Sequence, residues 1–243
     1  QNQSSAASDV YKRQGFNVAG PRSREMLAGL TDADLSNEGW RFMRSRRIAV
    51  GGVDCLAIRV SFTGDLGWEL HCADDDQVAL YEILLEAAAA HGGGPVGGRA
   101  LGALRIEKGY GSWGREYSPE YWPQEAGLHG LIKLDKDFLN KEAYLKISNT
   151  PPRESLTMFE VDVTDNADAN GGEPIFLADG TPVGRVTSGS YGYTVGKSLA
   201  IGYAREGVVS AGDRVEIFIL GKPHAATVLD KPPFDAGGER LRA

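Results

Sequence analysis

The 243 residues, 42% hydrophobic and 24% charged, have the composition of an ordinary globular protein, long enough to bury one large core or two small ones. A net charge of -7 excludes the basic footprint of a nucleic-acid-binding surface, and no apolar run approaches membrane-spanning length. Cys55 and Cys72, the only cysteines, lack metal-ligand spacing and point to a reducing compartment, the bacterial cytoplasm or a mitochondrial matrix, rather than to a disulfide framework.

Taken in order, Gln1 to Gln14 is polar, lacks the apolar centre of a signal peptide, and is set aside as a non-native leader. A short strand at Phe16–Ala19 runs into Gly20-Pro21, and Arg22 to Leu30 reads as a helix with proline near its first turn. Ser36 is placed to cap a brief helix reaching Phe42. Arg46–Val50 and Val53–Phe62 are β-rich runs joined by Gly51-Gly52, the signature of a two-residue hairpin.

The next stretch, Val60-Ser61-Phe62-Thr63-Gly64-Asp65-Leu66-Gly67-Trp68-Glu69-Leu70-His71-Cys72, reads as strand, glycine turn, strand. Alternation puts Trp68, Leu70 and Cys72 on one face and Gly67, Glu69 and His71 on the other. Glu69 then fits either of two descriptions. It is a charge on the solvated face of an antiparallel strand, or a pocket carboxylate that accepts two parallel hydrogen bonds from a planar donor pair. Spacing does not decide between them.

Asp74 to Asp76 places carboxylates at a helix N-terminus. Val78, Leu80, Tyr81, Leu84, Leu85 and Ala88 give that helix an apolar face, and His91-Gly92-Gly93-Gly94-Pro95 ends it. A second helix runs from Arg99 to Lys108, with Leu101 and Leu104 on one face and Ile106 off it. Helices and strands so interleaved predict an α+β domain over 15–150. Asn149-Thr150-Pro151-Pro152-Arg153 marks a boundary. Beyond it, over 151–243, short runs separated by Gly, Pro, Asp and Asn predict a C-terminal antiparallel β-barrel or sandwich. These runs are Leu156–Val163, Glu173–Phe176, Val183–Thr187, Ser198–Tyr203, Arg214–Leu220 and Ala225–Leu229.

No catalytic constellation is legible: there is no zinc-protease motif, phosphate loop, dinucleotide fingerprint or nucleophile elbow. His71, His91, His129 and His224 are scattered without metal-ligand spacing. Catalytic residues are therefore not assigned, and no metal site is expected.

Four stretches carry a resemblance. Ser61-Phe62-Thr63-Gly64-Asp65-Leu66-Gly67-Trp68-Glu69-Leu70 resembles the folate-binding motif of the glycine-cleavage T-protein (aminomethyltransferase) superfamily. Leu104-Arg105-Ile106-Glu107-Lys108-Gly109-Tyr110 with Trp113-Gly114-Arg115-Glu116 is similar to a run in the C-terminal halves of dimethylglycine and sarcosine dehydrogenases. Glu125-Ala126-Gly127-Leu128 through Leu145 and Thr187-Ser188-Gly189-Ser190-Tyr191 through Tyr203 match further stretches of those enzymes. The resemblance implies a partial aminomethyltransferase (T-protein) fold that binds tetrahydrofolate. It implies that Glu69 holds the pterin donors against Phe62, with Leu70, His71, Trp113 and Gly130 as further cofactor contacts. Gly130 departs from the family, which usually has an aromatic there, and Asn140 stands where Gly is frequent. In an intact parent, an upstream FAD domain would oxidise dimethylglycine or sarcosine, and tetrahydrofolate would capture the one-carbon unit as 5,10-methylenetetrahydrofolate. That flavin domain is the expected partner, and the piece alone is expected to be inactive. A glycine-cleavage aminomethyltransferase and a non-catalytic folate-fold interaction module are the alternatives.

Overall fold

A computed structural model describes residues 13–165 and 167–243, so most of the stretch set aside as a leader lies outside the described residues. The chain forms two compact units. One ends at Leu101 and takes in Gly237–Ala243, and the other is Gly102–Ala236.

Among the described residues the first unit is built on four strands and two longer helices, with a four-residue helix at Glu239–Arg242. Strand β1 (Arg13–Ala19) begins two residues inside the excluded stretch, with Arg13 opposite Ala73 and Gln14 opposite Cys72. Helix α1 is shorter than the pattern predicts, Ser23–Ala28, because the Gly29 and Leu30 amides close tighter turns onto Met26 and Leu27. Strands β2 (Ser45–Val50) and β3 (Val53–Ile58) form the expected hairpin, with Gly51 and Gly52 at φ 57° and 87°, where side chains are disfavoured. Strand β4 (Gly67–Ala73) pairs with both β1 and β3, giving the antiparallel order β1-β4-β3-β2. A 3-10 turn at Asp74–Asp76 leads into helix α2 (Gln77–Ala90).

Three expectations are corrected here. Ser36 to Phe42 is a turn rather than a helix. Its seryl Oγ accepts the Gly39 amide at 3.0 Å, and the Trp40 amide donates to the Ser36 carbonyl at 2.8 Å, but no further turn follows. The strand expected to reach Phe62 ends at Ile58. Arg59 turns its side chain inward, donating to the Trp40 carbonyl at 2.6 Å, and residues 59–66 become a loop. On α2 the buried side is narrower than the apolar pattern: Leu80 and Leu84 enter the core, while Val78, Tyr81 and Leu85 are exposed.

The core of this unit combines Leu27, Trp40, Val50, Cys55, Ala57, Trp68, Leu70, Cys72, Leu80 and Leu84. Every strand contributes alternate residues to it, as a sheet with one covered face requires. Both thiols are unpaired and buried, and burial pushes that of Cys55 up to about 11.

Helix α3 (Gly98–Glu107) crosses from one unit into the other. Ile106, which falls off the Leu101–Leu104 stripe, is the buried residue of its last turn and packs with Leu199 and Ile201. The second unit continues through a 3-10 turn at His129–Leu131 and helix α4 (Lys141–Ser148), which Asn140 precedes in the left-handed region at φ 66°. From Glu154 to Leu229 every named element is a strand: β5 (Glu154–Val161), β6 (Pro174–Phe176), β7 (Pro182–Gly192), β8 (Lys197–Arg205), β9 (Arg214–Ile219) and β10 (Lys222–Leu229). They close into an antiparallel barrel in the order β10-β5-β8-β7-β6-β9, around Phe159, Val161, Ile175, Val183, Ile217 and Ala226.

The compact units divide at Leu101, whereas the change to strand-only pattern lies at Pro151. The intervening segment stays with the barrel through specific bonds. The Leu156 amide donates to the Glu125 carbonyl at 2.8 Å, and the Tyr203 hydroxyl donates to the Glu116 carbonyl at 2.8 Å.

Candidate functional site

Strand β4 is an inner strand of its sheet, with Asn17 opposite Glu69 on one side and Ile58 on the other. Trp68, Leu70 and Cys72 anchor it in the core. The alternation read from the sequence therefore holds: Glu69 and His71 project from the opposite face, with side chains 38% and 34% exposed. Gly67 brings β4 close to β1, since a Cβ there would stand 2.8 Å from the Val18 carbonyl oxygen. Opposite His71 is Gly15, where a Cβ would meet the imidazole at 3.1 Å, so the ring lies over bare backbone.

On this face the Glu69 carboxylate accepts no hydrogen bond among the described residues, and its polar neighbour is His71 Nε2 at 3.6 Å. Leu56 and Ile58 on β3 flank it. The carboxylate thus offers acceptor oxygens beside an apolar strip, on a strand whose other face is locked.

The loop 59–66 that precedes it is also fixed. Gly64 sits at φ 87°, and its amide donates to Ser61 Oγ at 3.0 Å. Ser23 Oγ donates to the Leu66 carbonyl at 3.0 Å, and Arg240 holds Asp65 Oδ1 at 3.0 Å. Phe62 is half-buried within this loop.

The six residues singled out by resemblance are distributed unevenly. Glu69 and His71 are neighbours on one face, Phe62 lies in the adjoining loop, and Leu70 points the other way, fully buried in the core. Trp113 and Gly130 belong to the second unit. Trp113 is 83% exposed on a turn where it bridges to Tyr117. Gly130 lies exposed in the 3-10 turn, and a Cβ there would meet nothing within 4 Å. Space at that position admits the aromatic that the family usually carries.

Sequence reasoning left unassigned the buried charges of the second unit. Arg105 Nη1 donates to Glu116 Oε2 at 2.9 Å and Arg105 Nη2 to Ser188 Oγ at 2.6 Å. Glu116 also accepts from the Ser112 amide at 2.8 Å and from Thr187 Oγ1 at 2.6 Å. Burial pushes the Glu116 carboxyl up, but hydrogen bonds from Ser188, Thr187 and Ser112, with the Arg105 charge, hold it below the ordinary glutamate range. Glu125 accepts Arg153 in a two-pronged pair at 2.8 and 2.7 Å, which brings it down to about 2. The visible signal was the set of carboxylates beside or within glycine- and proline-rich loops, with Glu107 at the end of a helix and Glu116 and Glu125 beyond it.

Comparison with known proteins decides the family. A family model described as the GCVT N-terminal domain matches residues 4–136, and one described as the glycine cleavage T-protein C-terminal barrel domain matches residues 155–235. The chain belongs to the glycine-cleavage T-protein family. This T-protein-family chain is 39% identical over 217 residues to mitochondrial dimethylglycine dehydrogenase of Mus musculus, covering 88% of this chain and 25% of that one. It is 36% identical over 236 residues to mitochondrial sarcosine dehydrogenase of Mus musculus, covering 93% of this chain and 25% of that one. An aminomethyltransferase of Caldanaerobacter subterraneus is 32% identical over 215 residues, covering 88% of this chain and 56% of that one. The chain thus spans about a quarter of the length of the dehydrogenase relatives. The crystal structure of glycine cleavage system aminomethyltransferase T from Bartonella henselae superposes with a TM-score of 0.79 over 92% of this chain and 60% of that one, at 24% identity. That likeness shows the T-protein fold, closed β-barrel included. No helix among the described residues is long and apolar enough to cross a membrane.

Proposed function

We propose that this T-protein-family chain is the tetrahydrofolate-binding part of an N-methyl amino acid dehydrogenase, and that Glu69 is its pterin anchor. The observation that carries the reading is the Glu69 carboxylate itself. It is half-exposed, free of hydrogen bonds among the described residues, and mounted on an inner strand whose opposite face is packed by Trp68 and Leu70. A pterin presents adjacent N–H donors in a plane, and an ionised carboxylate is an acceptor-only group with two oxygens to meet them. The residues present fit that ligand: acceptor oxygens, the apolar strip of Leu56 and Ile58, and the aromatic Phe62 in the adjoining loop.

In this reading Glu69 positions rather than transfers protons, and His71 at 3.6 Å supplies a nearby second polar group. Tetrahydrofolate, held there, would supply the nitrogens that take up the one-carbon unit as 5,10-methylenetetrahydrofolate. The unit itself would come from FAD-dependent oxidation of dimethylglycine or sarcosine in an upstream part of the parent. Higher identity to the two dehydrogenases than to the aminomethyltransferase favours this parent over a free-standing glycine-cleavage enzyme.

The test is a titration of tetrahydrofolate against the chain and its Glu69→Gln variant, with thermal melts as the folding control. Charge-assisted hydrogen bonds are worth about 1.5–3 kcal/mol each, so Glu69→Gln should weaken binding by roughly tenfold or more. Equal affinities with equal melting curves would make Glu69 a solvated surface charge and end the reading.

A further inference from the structure

We propose that the outer face of the barrel carries a separate binding site for a small zwitterion of the α-amino acid type. The site is an open concavity of about 630 Å³ lined by Glu120, Tyr121, Arg153, Glu154, Arg185 and Arg205.

Strand register builds it. Glu154 on β5 lies opposite Arg205 on β8, and Arg185 on β7 lies opposite Tyr203 on β8. Tyr203 and Arg205 are two residues apart, and Ala204 between them points into the barrel core, so all four side chains share the outer face. Tyr121 closes over Tyr203 in a parallel stack, ring centroids 3.5 Å apart, and forms the floor of the concavity. Arg185 donates to the Tyr121 hydroxyl, and its guanidinium lies 5.6 Å from that ring. Three adjacent strands of a closed barrel are a rigid mount for such a constellation.

The charges select the ligand class. Arg153 is already committed, to buried Glu125 at 2.8 and 2.7 Å and to the Glu120 carbonyl at 2.7 Å. Arg185 stands 3.7 Å from Glu120 and 3.9 Å from Glu154, beyond hydrogen-bonding distance from either. Arg205 donates to the Pro182 carbonyl at 2.7 Å and has no carboxylate within 4 Å among the described residues. With Glu125 behind Arg153, three arginines face three glutamates, so the site is neutral in sum but divided in space. A simple anion drawn to Arg205 would sit against the carboxylates of Glu120 and Glu154, and a simple cation would meet two guanidinium groups. A molecule with a carboxylate at one end and an ammonium at the other satisfies both halves. Its carboxylate goes to Arg205 and Arg185, its ammonium to Glu120 and Glu154, and its carbon frame lies on Tyr121.

The test uses matched probes on the whole chain: L-alanine, propionate and ethylammonium, each titrated to millimolar concentration and followed by protein-observed NMR. L-alanine should shift resonances of residues 120–122 and 185 with an affinity at least tenfold above either singly charged probe. Arg205→Gln, an exposed substitution whose melt should match the parent, should weaken alanine binding at least tenfold. Tyr121→Phe should keep the stack but weaken binding by severalfold, through loss of the hydroxyl that orients Arg185. Propionate binding as tightly as alanine, or alanine binding unchanged in Arg205→Gln, would overturn the proposal.

Discussion

Removing the Glu116 carboxylate is the sharpest test of how the second unit is held. Both partners of the Arg105–Glu116 pair are buried, and the carboxylate also receives the Ser112 amide and the Thr187 hydroxyl. In Glu116→Ala the Arg105 guanidinium keeps only its bonds to Ser188 and the Tyr110 carbonyl, and its charge loses its counter-ion. Breaking a buried pair from one side costs about 3–5 kcal/mol. Glu116→Gln keeps one acceptor oxygen but turns an NH2 toward donors, so ~1.5–3 kcal/mol is expected. For a chain of this size each kcal/mol lowers Tm by about 2–4 °C, which places Glu116→Ala roughly 6–20 °C below the parent. Urea titrations of the parent, Arg105→Met, Glu116→Gln and the double variant give the coupling directly, and about 2 kcal/mol is expected. Amide exchange should locate the damage, with Ser112 losing protection before any strand of the barrel does. A Glu116→Gln variant within ~0.5 kcal/mol of the parent, with no coupling to Arg105, would refute the reasoning and mean that water reaches the pair.

Two further outcomes follow from the same unit. Glu125 is held down to about 2 from an ordinary 4.5, so its contribution is fully present above pH 4.5 and is lost as pH falls from there toward 2. With Arg153 half-exposed and screened, this amounts to on the order of 1–2 kcal/mol, and Glu125→Gln should flatten the acid limb of a stability–pH curve over that window. Gly184→Ala should destabilise the barrel by about 1–3 kcal/mol or more, because the new Cβ would meet the Tyr203 carbonyl oxygen at 2.1 Å and the Ala204 Cα at 2.9 Å. A Gly184→Ala chain melting with the parent would show that β7 and β8 can separate there without cost.

The parts of the fold that a two-residue period governs were legible. The face assignment along Trp68, Glu69, Leu70 and His71 follows from alternation alone, because a strand with one buried face cannot slip by a residue without inverting every side chain. The barrel strands were legible for the same reason, although β7 runs on past the expected end at Thr187 through Gly189 to Gly192. Helix faces were less so. Val78, Tyr81 and Leu85 are as apolar as Leu80 and Leu84, and the sequence does not say which stripe the sheet covers. The end of β3 was missed because Arg59 is buried, and a charged residue gives no pattern signal for turning inward. Phe62 and Glu69 lie in adjoining segments, whereas Leu70, singled out by resemblance, is buried on the face opposite Glu69, as alternation predicts.

The buried carboxylates of the second unit share a task that neither pattern nor pairing statistics displays. The Ser112 amide donates to Glu116, the Trp122 and Arg153 amides to Glu125, and the Thr194 amide to Glu107 at 2.7 Å. Each of these amides lies at a turn or loop edge, where no neighbouring strand offers it a carbonyl, and a buried amide left unpaired would carry its full desolvation cost. A carboxylate has two oxygens and can serve a loop amide while its charge is met by Arg105 or Arg153. An apolar residue of equal volume would pack as well and serve neither. The arrangement therefore fixes loop geometry more than it adds stability. That is what a turn bearing an 83% exposed tryptophan at position 113 requires if its side chain is to be held out in one orientation.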